Sequence, residues 1–517
     1  MKGEMKDMLN NNTFVDSLKR QSNFTETENG AIAHKSTLSA VYDLFAFGGA
    51  YRTRSDEDCI LLFKKAFEEN QRLALKCLFY LRDIRGGQGE RRFFRVCYNW
   101  LASTHPEVAA RNLKNIAEYG RYDDLYCVDG TPIESDMYQL IKDQVAIDIT
   151  SLKASDNTGV SLLAKWLKSE NASSIETKEL GNKTRLALGL SHKQYRKILS
   201  ALRTRINIVE KLMSENRWGE IEFDKIPSKA GLIYRNAFAH KDIIADKYAE
   251  FMASKDTKVN ASSLYPYEIV SKVTDKLNCG GWYYRTTEFK MSEVERTTLN
   301  KYWDNQIDYL DGKKCKLMTV VDTSGSMDNS YNTSVKPIDV AISLGMYCAE
   351  RIGEPFQNYF ISFSSRPQFI EVEGVDFVDK VRRIYAQNLC ENTDLAAVFS
   401  LLKKTILKED VAASDIPETL VVISDMEIDR GSYWRSKQQV LTEMEKIRLE
   451  WEKDGLTMPR LVYWNVSARN NTILDGDANT TYVSGCSPII FKSILTGKSG
   501  VELMREILES DRYKEVE

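Results

Sequence analysis

The stretch KLMTVVDTSGS, residues 316–326, decides the fold of the second half of this chain. Its continuous apolar run, rich in β-branched residues, is typical of a strand buried on both faces of a sheet. Further strands are predicted at 356–363, 369–372, 419–424 and 461–466, alternating with helices at 337–352, 377–386, 394–407, 438–451 and 501–508. This alternation predicts a doubly wound, mostly parallel sheet with helices on both faces over residues 312–517.

Polar side chains follow the predicted strands where ligands of such sheets bind, beyond the carboxyl ends. The candidates are two carboxylates and three hydroxyls: Asp322, Ser324, Ser326, Thr393 and Asp425. These are hard oxygen ligands, which suit Mg²⁺ or Mn²⁺. The sequence therefore predicts a divalent-metal site at this rim. Hydroxyls add little charge, so a bound ion could accept one more anionic oxygen from a partner.

Residues 31–311 have a different, helical character, with apolar residues spaced every three to four positions. Helices are predicted at about 90–103, 106–118, 132–149, 160–169, 191–215 and 292–310. Short helices joined by short loops are typical of stacked helix pairs, so we expect an all-α helical-repeat domain of HEAT-like type. Residues 1–30 are polar and Asn-rich, and we expect a flexible N-terminal arm there.

Composition excludes several classes of protein. The 517 residues contain only 10 prolines, and the nine cysteines form no C-x-x-C pair. We expect reduced cysteines in a cytoplasmic protein (host-cell cytoplasm if viral), with no membrane helix and no His-rich zinc site. The net charge of −3 is a cancellation, because residues 1–300 carry 45 Lys and Arg against 40 Asp and Glu. The helical part is mildly basic and the remainder acidic.

The loop from Asp322 to Ser326, with Thr393 and Asp425, resembles the metal-ion-dependent adhesion site of von Willebrand factor A-type domains. In that family these positions hold Mg²⁺ directly or through water. The order of helical region and metal-site domain resembles the Ro-type (TROVE) RNA-binding proteins. Similar signatures occur at residues 79–91, 120–125 and 163–167. The closest resemblance is to an uncharacterised family of phage, large-virus, fungal and plant proteins that pairs the two domains.

The Ro resemblance implies a ribonucleoprotein, in which helical repeats bind single-stranded RNA ends and structured RNA. The charge pattern allows this, because residues 151–205 carry eleven Lys and Arg against four Asp and Glu. The candidate RNA contacts are the cations of one predicted helix and a tyrosine that could stack on a base: Lys193, Tyr195, Arg196, Lys197, Arg203 and Arg205. The alternative is a solvated helix face with Tyr195 in the core. Arg82 and Asp83 are interpreted as structural, pairing with neighbouring residues.

The leading functional prediction is an RNA-binding protein with a helical platform and a Mg²⁺-binding domain for contact with a partner, such as a protein that offers a carboxylate. The alternative is a protein–protein scaffold without a role in RNA. A weaker alternative is a metal-dependent nuclease or phosphatase that uses Asp322 and Asp425. Since the sequence contains no complete catalytic set, we do not expect an enzyme.

Overall fold

The structure, a computed structural model, describes most of the chain. The described residues are 19, 22–153, 159–206, 208–277, 279–280, 284–285, 291–311, 313, 315–328, 335–363, 366–387, 393–429, 442–477 and 479–517. In these ranges, every helix falls short of the length and apolar character that crossing a membrane requires.

The first half of the described chain is helical, as predicted. Its helices are α1 Ala40–Phe47, α2 Asp56–Glu69, α3 Gln71–Arg82, α4 Arg91–Thr104, α5 Pro106–Asn112, α6 Asn115–Tyr119, α7 Glu134–Lys153, α8 Leu163–Trp166, α9 Ile175–Ala187, α10 His192–Arg205, α11 Val209–Ser214, α12 Ser228–His240, α13 Asp242–Ala253, α14 Pro266–Thr274 and α15 Glu293–Asp304. Consecutive helices pack on each other, for example α2 on α3 and α12 on α13. Two short hairpins accompany them, formed by β1 Phe24–Glu26 with β2 Ile32–His34 and by β3 Cys279–Gly280 with β4 Tyr284–Arg285.

The helix boundaries follow local sequence signals. The Ser55 hydroxyl caps α2 by accepting from the backbone N–H of Asp58, and three acidic residues occupy the first turn of that helix. Ser191 and Gln194 form a reciprocal capping box at the start of α10. These caps satisfy backbone donors that have no partner within the helix.

The second half contains a six-stranded sheet. Its strands are β5 Leu317–Asp322, β6 Tyr359–Phe363, β7 Gln368–Glu371, β8 Thr419–Ser424, β9 Arg460–Asn465 and β10 Thr481–Ser484, in the spatial order β10-β9-β8-β5-β6-β7. All neighbours are parallel except β6 and β7. The helices of this half are α16 Pro337–Arg351, α17 Phe377–Ala386, α18 Leu395–Lys408, α19 Glu443–Lys453, α20 Ile490–Ile494 and α21 Gly500–Leu508.

This architecture confirms the predicted doubly wound, mostly parallel sheet. Strand β10 is an addition that the residue pattern did not indicate, because its four residues lie between loops. Part of the helix predicted at 438–451 lies outside the described residues, and the described part begins at Glu443.

The two halves share one continuous hydrophobic core. Helix α1 packs on β10, where the Tyr42 hydroxyl accepts from the backbone N–H of Tyr482 at 2.8 Å. At the C-terminus, Arg512 forms an ion pair with Asp83, which is fully buried in the helical region. Arg82 pairs with Asp124 at 2.6 Å. Arg82 and Asp83 are therefore structural, as predicted, although the partner of Asp83 comes from the other end of the chain.

The described part of the N-terminal arm expected over residues 1–30 contacts the sheet domain. The β1–β2 hairpin lies on the sheet domain, and the backbones of His34 and Ile473 exchange two hydrogen bonds of 2.8 Å. The Thr27 hydroxyl donates to the carbonyl oxygen of Ile428 at 2.6 Å. Both backbone and side-chain groups of this polar segment therefore bond to backbone groups of the sheet domain. Residues 1–18, 20 and 21 of the predicted arm lie outside the described part.

Candidate functional site

The predicted metal-site residues begin at the carboxyl ends of two neighbouring strands. Asp322 ends β5, and Ser424 ends the adjacent parallel strand β8. The Ser424 hydroxyl donates to Asp322 Oδ2 at 2.6 Å, and the backbone N–H of Ser324 donates to Asp322 Oδ1 at 2.9 Å. Asp322 is 0% exposed, and these hydrogen bonds hold its carboxylate in one orientation.

Two hydroxyls lie together in the loop after β5. The Oγ atoms of Ser324 and Ser326 are 3.0 Å apart. An octahedron with metal–oxygen bonds of 2.0–2.1 Å has adjacent oxygens about 2.9 Å apart, so the pair matches one edge of a Mg²⁺ coordination sphere. Ser324 is buried and Ser326 is half-buried, which leaves one side of the pair open.

The two buried carboxylates at this rim, Asp322 and Asp425, are close enough for their negative charges to repel each other. Burial, and then the negative charge of Asp425, raise the pKa of Asp322. Asp425 is 1% exposed and accepts from the backbone N–H of Glu427 at 3.2 Å. A cation between two such groups would remove their repulsion, because its charge favours the ionised form of both.

Thr393 is joined to the same rim through the loop after β8. Its backbone N–H donates to Asp429 Oδ2 at 2.8 Å, and the backbone N–H of Asp429 donates to the Thr393 carbonyl at 2.9 Å. These bonds fasten the loop before α18 to the loop that carries Asp425. The structure thus brings the loops of all five predicted residues to one end of the sheet.

Two charged residues at this site were missed by the sequence analysis. Arg469 donates to Asp425 Oδ2 at 2.8 Å and forms a second ion pair, also 2.8 Å, with Glu28 of the N-terminal hairpin. No local pattern could have identified this bridge, because it joins residues more than 400 positions apart. Ser424, in contrast, could have been found, since it precedes Asp425 at the end of a predicted strand.

The donor set fits a hard divalent cation. It offers the Asp322 carboxylate, two adjacent serine hydroxyls and a second carboxylate whose remaining charge is shared with Arg469. In the ranges that the structure describes, no three His, Cys, Asp or Glu side chains converge to form an alternative metal site. If a metal is bound, the hydroxyl-rich rim at Asp322 is the best candidate for it.

The six predicted RNA contacts separate into two groups on α10. Lys193, Arg196 and Lys197 are exposed, and no carboxylate of the described chain pairs with them. They form a cationic outer face, which we call the α10 face. Arg205, at the end of the same helix, is half-buried and is not part of this face.

Tyr195 and Arg203 are corrected to structural residues. Tyr195 is 1% exposed, and its hydroxyl donates to the Lys168 carbonyl at 2.7 Å, so it cannot stack on a base. Arg203 donates to the carbonyl oxygens of Ala164 and Leu167 at 2.8 and 2.9 Å. Both side chains lie on the inner side of α10, where helical periodicity directs them towards the segment around α8.

The comparisons with protein families divide the chain where the fold does. Residues 27–125 and 158–315 match the family described as "Domain of unknown function (DUF2828)". Residues 316–517 match the family described as "Domain of unknown function (DUF7788)". The change from one family to the next falls just before β5 begins.

One curated relative and one solved structure are similar to this chain over most of its length. Uncharacterized protein L728 of Acanthamoeba polyphaga mimivirus is 26% identical, and the match covers 94% of this chain and 88% of the viral protein. This agrees with the resemblance to proteins of large viruses. The crystal structure of the Deinococcus radiodurans RO (RSR) protein matches 92% of this chain and 99% of that chain, with 13% identity and a TM-score of 0.46.

Proposed function

We propose that this protein binds RNA through its helical region and holds Mg²⁺ at the rim of its sheet. The observation that carries the metal proposal is the grouping of Asp322 and the paired hydroxyls of Ser324 and Ser326 beside a second buried carboxylate. When bound, the ion supplies an electrophilic position that can accept an anionic oxygen, such as a carboxylate of a protein partner.

The protein's own residues orient this site. A hydrogen bond from Ser424 orients the Asp322 carboxylate, and an ion pair with Arg469 orients the Asp425 carboxylate. Both carboxylates therefore keep their orientation when a cation binds. Asp429 keeps the Thr393 loop in place. Such fixed donors favour binding because little conformational freedom is lost.

Calorimetric titration with MgCl₂ and MnCl₂ tests the metal site. We expect Asp322→Asn to weaken binding at least tenfold, and Ser326→Ala to weaken it while disturbing the fold less, since Ser326 is half-buried. Asp379→Asn is the matched control, because Asp379 is also a buried carboxylate of the sheet domain but lies at the start of α17, which follows the end of β7 that pairs with the beginning of β6, opposite the rim. Equal metal affinity in wild type, Asp322→Asn and Ser326→Ala would refute the assignment.

The α10 face supports the RNA proposal. Lys193, Arg196 and Lys197 project from one helix without acidic partners in the described chain, so their charges are available to phosphates. The seven cysteines whose side chains are described are unpaired thiols, which supports a reducing compartment such as the cytoplasm as the place of action.

Fluorescence anisotropy with labelled RNA tests this part of the proposal. We expect reversal of Lys193, Arg196 and Lys197 to Glu to lower affinity and to reduce the slope of log K against log salt by about 2 for single-stranded RNA. The control reverses three exposed lysines of the sheet domain, Lys404, Lys453 and Lys492. No RNA binding by the wild type at ~50 mM salt would refute the RNA role and favour the scaffold alternative.

A further inference from the structure

A second group of cations surrounds a half-buried tryptophan in the helical region. The Arg121 guanidinium carbon lies 4.9 Å from the centroid of the Trp166 ring, and Lys165 Nζ lies 5.6 Å from the same centroid. Arg91 is close enough to Arg121 for its charge to act on it. We call Arg91, Arg121, Lys165 and Trp166 the Trp166 cluster.

The nearest carboxylates are already engaged by other arginines. Asp124 binds Arg82 at 2.6 Å and Arg95 at 2.7 Å, and Asp123 binds Arg95 at 2.8 Å. Arg121 donates its backbone N–H to Asp124 Oδ2, and the charges of Asp123 and Asp124 also act on its side chain, although neither forms an ion pair with it in the described chain. Within the described ranges, the side chains of Arg91, Arg121 and Lys165 have no acidic partner, so the cluster keeps a local excess of positive charge.

This concentration of charge is unfavourable in the protein alone. Burial, followed by the charges of Arg91 and Arg82, lowers the pKa of Arg121. A bound anion would reverse that effect, because it would pair with cations that otherwise repel each other. Trp166 adds an aromatic surface, and cations interleaved with an aromatic ring are typical of single-stranded nucleic-acid sites.

The Trp166 cluster adjoins the helix that carries the α10 face. Tyr195 and Arg203 of α10 bind the carbonyl oxygens of residues 164, 167 and 168, so the segment that bears Lys165 and Trp166 is fastened directly to α10. The outer cations of α10 therefore lie on a helix that is bonded directly to the segment with Lys165 and Trp166, and a single RNA segment could contact both.

We propose that the Trp166 cluster binds single-stranded RNA, with Arg91, Arg121 and Lys165 contacting phosphates and Trp166 contacting an unstacked base. This inference rests on the proposed RNA-binding function and assigns its single-strand subsite. It gives a role to the signatures at residues 120–125 and 163–167, whose charged and aromatic residues the α10 face does not use.

The test is binding of a labelled ten-nucleotide single-stranded RNA to the full chain. We expect Arg121→Gln with Lys165→Gln to weaken binding at least tenfold and to reduce the salt slope by about 1.4. We expect Trp166→Ala to weaken it by about 5- to 100-fold, the range found for loss of one stacked base, and Trp166→Phe to restore part of that loss. Binding of RNA should change the tryptophan emission of the wild type, and the part of that change that comes from Trp166 should be missing in Trp166→Phe.

The chain offers a matched control in Trp218, which has Lys241 Nζ at 5.2 Å from its ring centroid. Lys241→Gln and Trp218→Phe should leave RNA affinity unchanged. If the Trp166 cluster variants bind RNA as the wild type does while the α10-face reversal weakens binding, the cluster inference is overturned and the RNA function stands. If the wild type binds no RNA, both fail. Tighter, cluster-dependent binding of a ten-residue polyglutamate peptide would instead assign the cluster to an acidic protein partner and overturn the inference.

Discussion

Asp339 gives the interface between the two halves a defined dependence on pH. It lies in α16, is 2% exposed, and accepts hydrogen bonds from Tyr385 at 2.6 Å and from Thr274 of the helical region at 3.1 Å. Burial raises the pKa of Asp339 to about 6, and the two hydroxyl donors only partly oppose that rise. The carboxyl therefore holds its proton more tightly in the folded chain than in the unfolded one.

The magnitude follows from linkage. A shift of about two pKa units above the ordinary value corresponds to about 3 kcal/mol of free energy of unfolding. Because the folded state binds the proton more tightly, this stability is fully present below about pH 4. It is lost as the pH rises through about 6. Asp339→Asn cannot ionise, and its amide can still bond both hydroxyls, so the variant should not lose this stability.

The assay is urea unfolding of wild type and Asp339→Asn at intervals from pH 4 to pH 7.5, followed by tryptophan emission and circular dichroism. The free energy of unfolding of the variant minus that of the wild type should increase by about 3 kcal/mol across this range. Asp379→Asn is the control. Burial opposes ionisation of Asp379, but hydrogen bonds from Arg382 and Arg383 hold its pKa below the usual value. The difference in free energy of unfolding between Asp379→Asn and the wild type should therefore not change with pH above pH 5. If the difference in free energy of unfolding between Asp339→Asn and the wild type did not change from pH 4 to pH 7.5, the reasoning would be refuted.

Three further changes test the packing around the proposed sites. Arg512→Met should lower the free energy of unfolding by about 3 kcal/mol, because it leaves the buried Asp83 carboxylate without its cation. Urea unfolding would measure this loss, with Arg111→Met as the control, since Arg111 is exposed. Tyr195→Phe should cost about 1 kcal/mol in the same assay, because its hydroxyl makes a buried hydrogen bond; an unchanged free energy of unfolding would contradict that role. Gly49→Ala, in the short helical turn after α1, should destabilise the contact of that turn with β10 by about 1–3 kcal/mol, because the added methyl group would lie 2.7 Å from a backbone oxygen of β10; an unchanged melting temperature would contradict it.

The strands could be predicted, and the candidate metal-site residues could be chosen, because both kinds of signal are local. A continuous apolar run and the polar residues at its end lie within a few positions of each other, as in residues 316–326. Parallel neighbours then bring Asp322 and Asp425 to one edge of the sheet as a consequence of topology. The prediction of all five loops at one rim needed no information about distant contacts.

The candidate RNA contacts were harder to choose from the sequence because charge does not specify exposure. Lys193, Arg196 and Lys197 are exposed, whereas Tyr195 and Arg203 of the same helix face inwards. All five were candidate RNA contacts, because the sequence does not show which side of α10 packs on the segment around α8. The uncompensated charge at Trp166 was equally hidden, because Asp123 and Asp124 follow Arg121 in sequence but bind other arginines.

The sequence by itself determined the two-part architecture, the sheet and the group of candidate oxygen ligands at its rim. These depend on hydrophobic period and on residues adjacent to strand ends, and both are properties of short segments. Only the tertiary structure decided that Glu28 and Arg469 bridge to Asp425, that the C-terminal Arg512 pairs with Asp83, and that Tyr195 is buried. Such contacts join residues that are far apart in the chain or choose between two faces of one helix. The physical reason is that burial and charge pairing depend on which surfaces meet, and no local pattern records that.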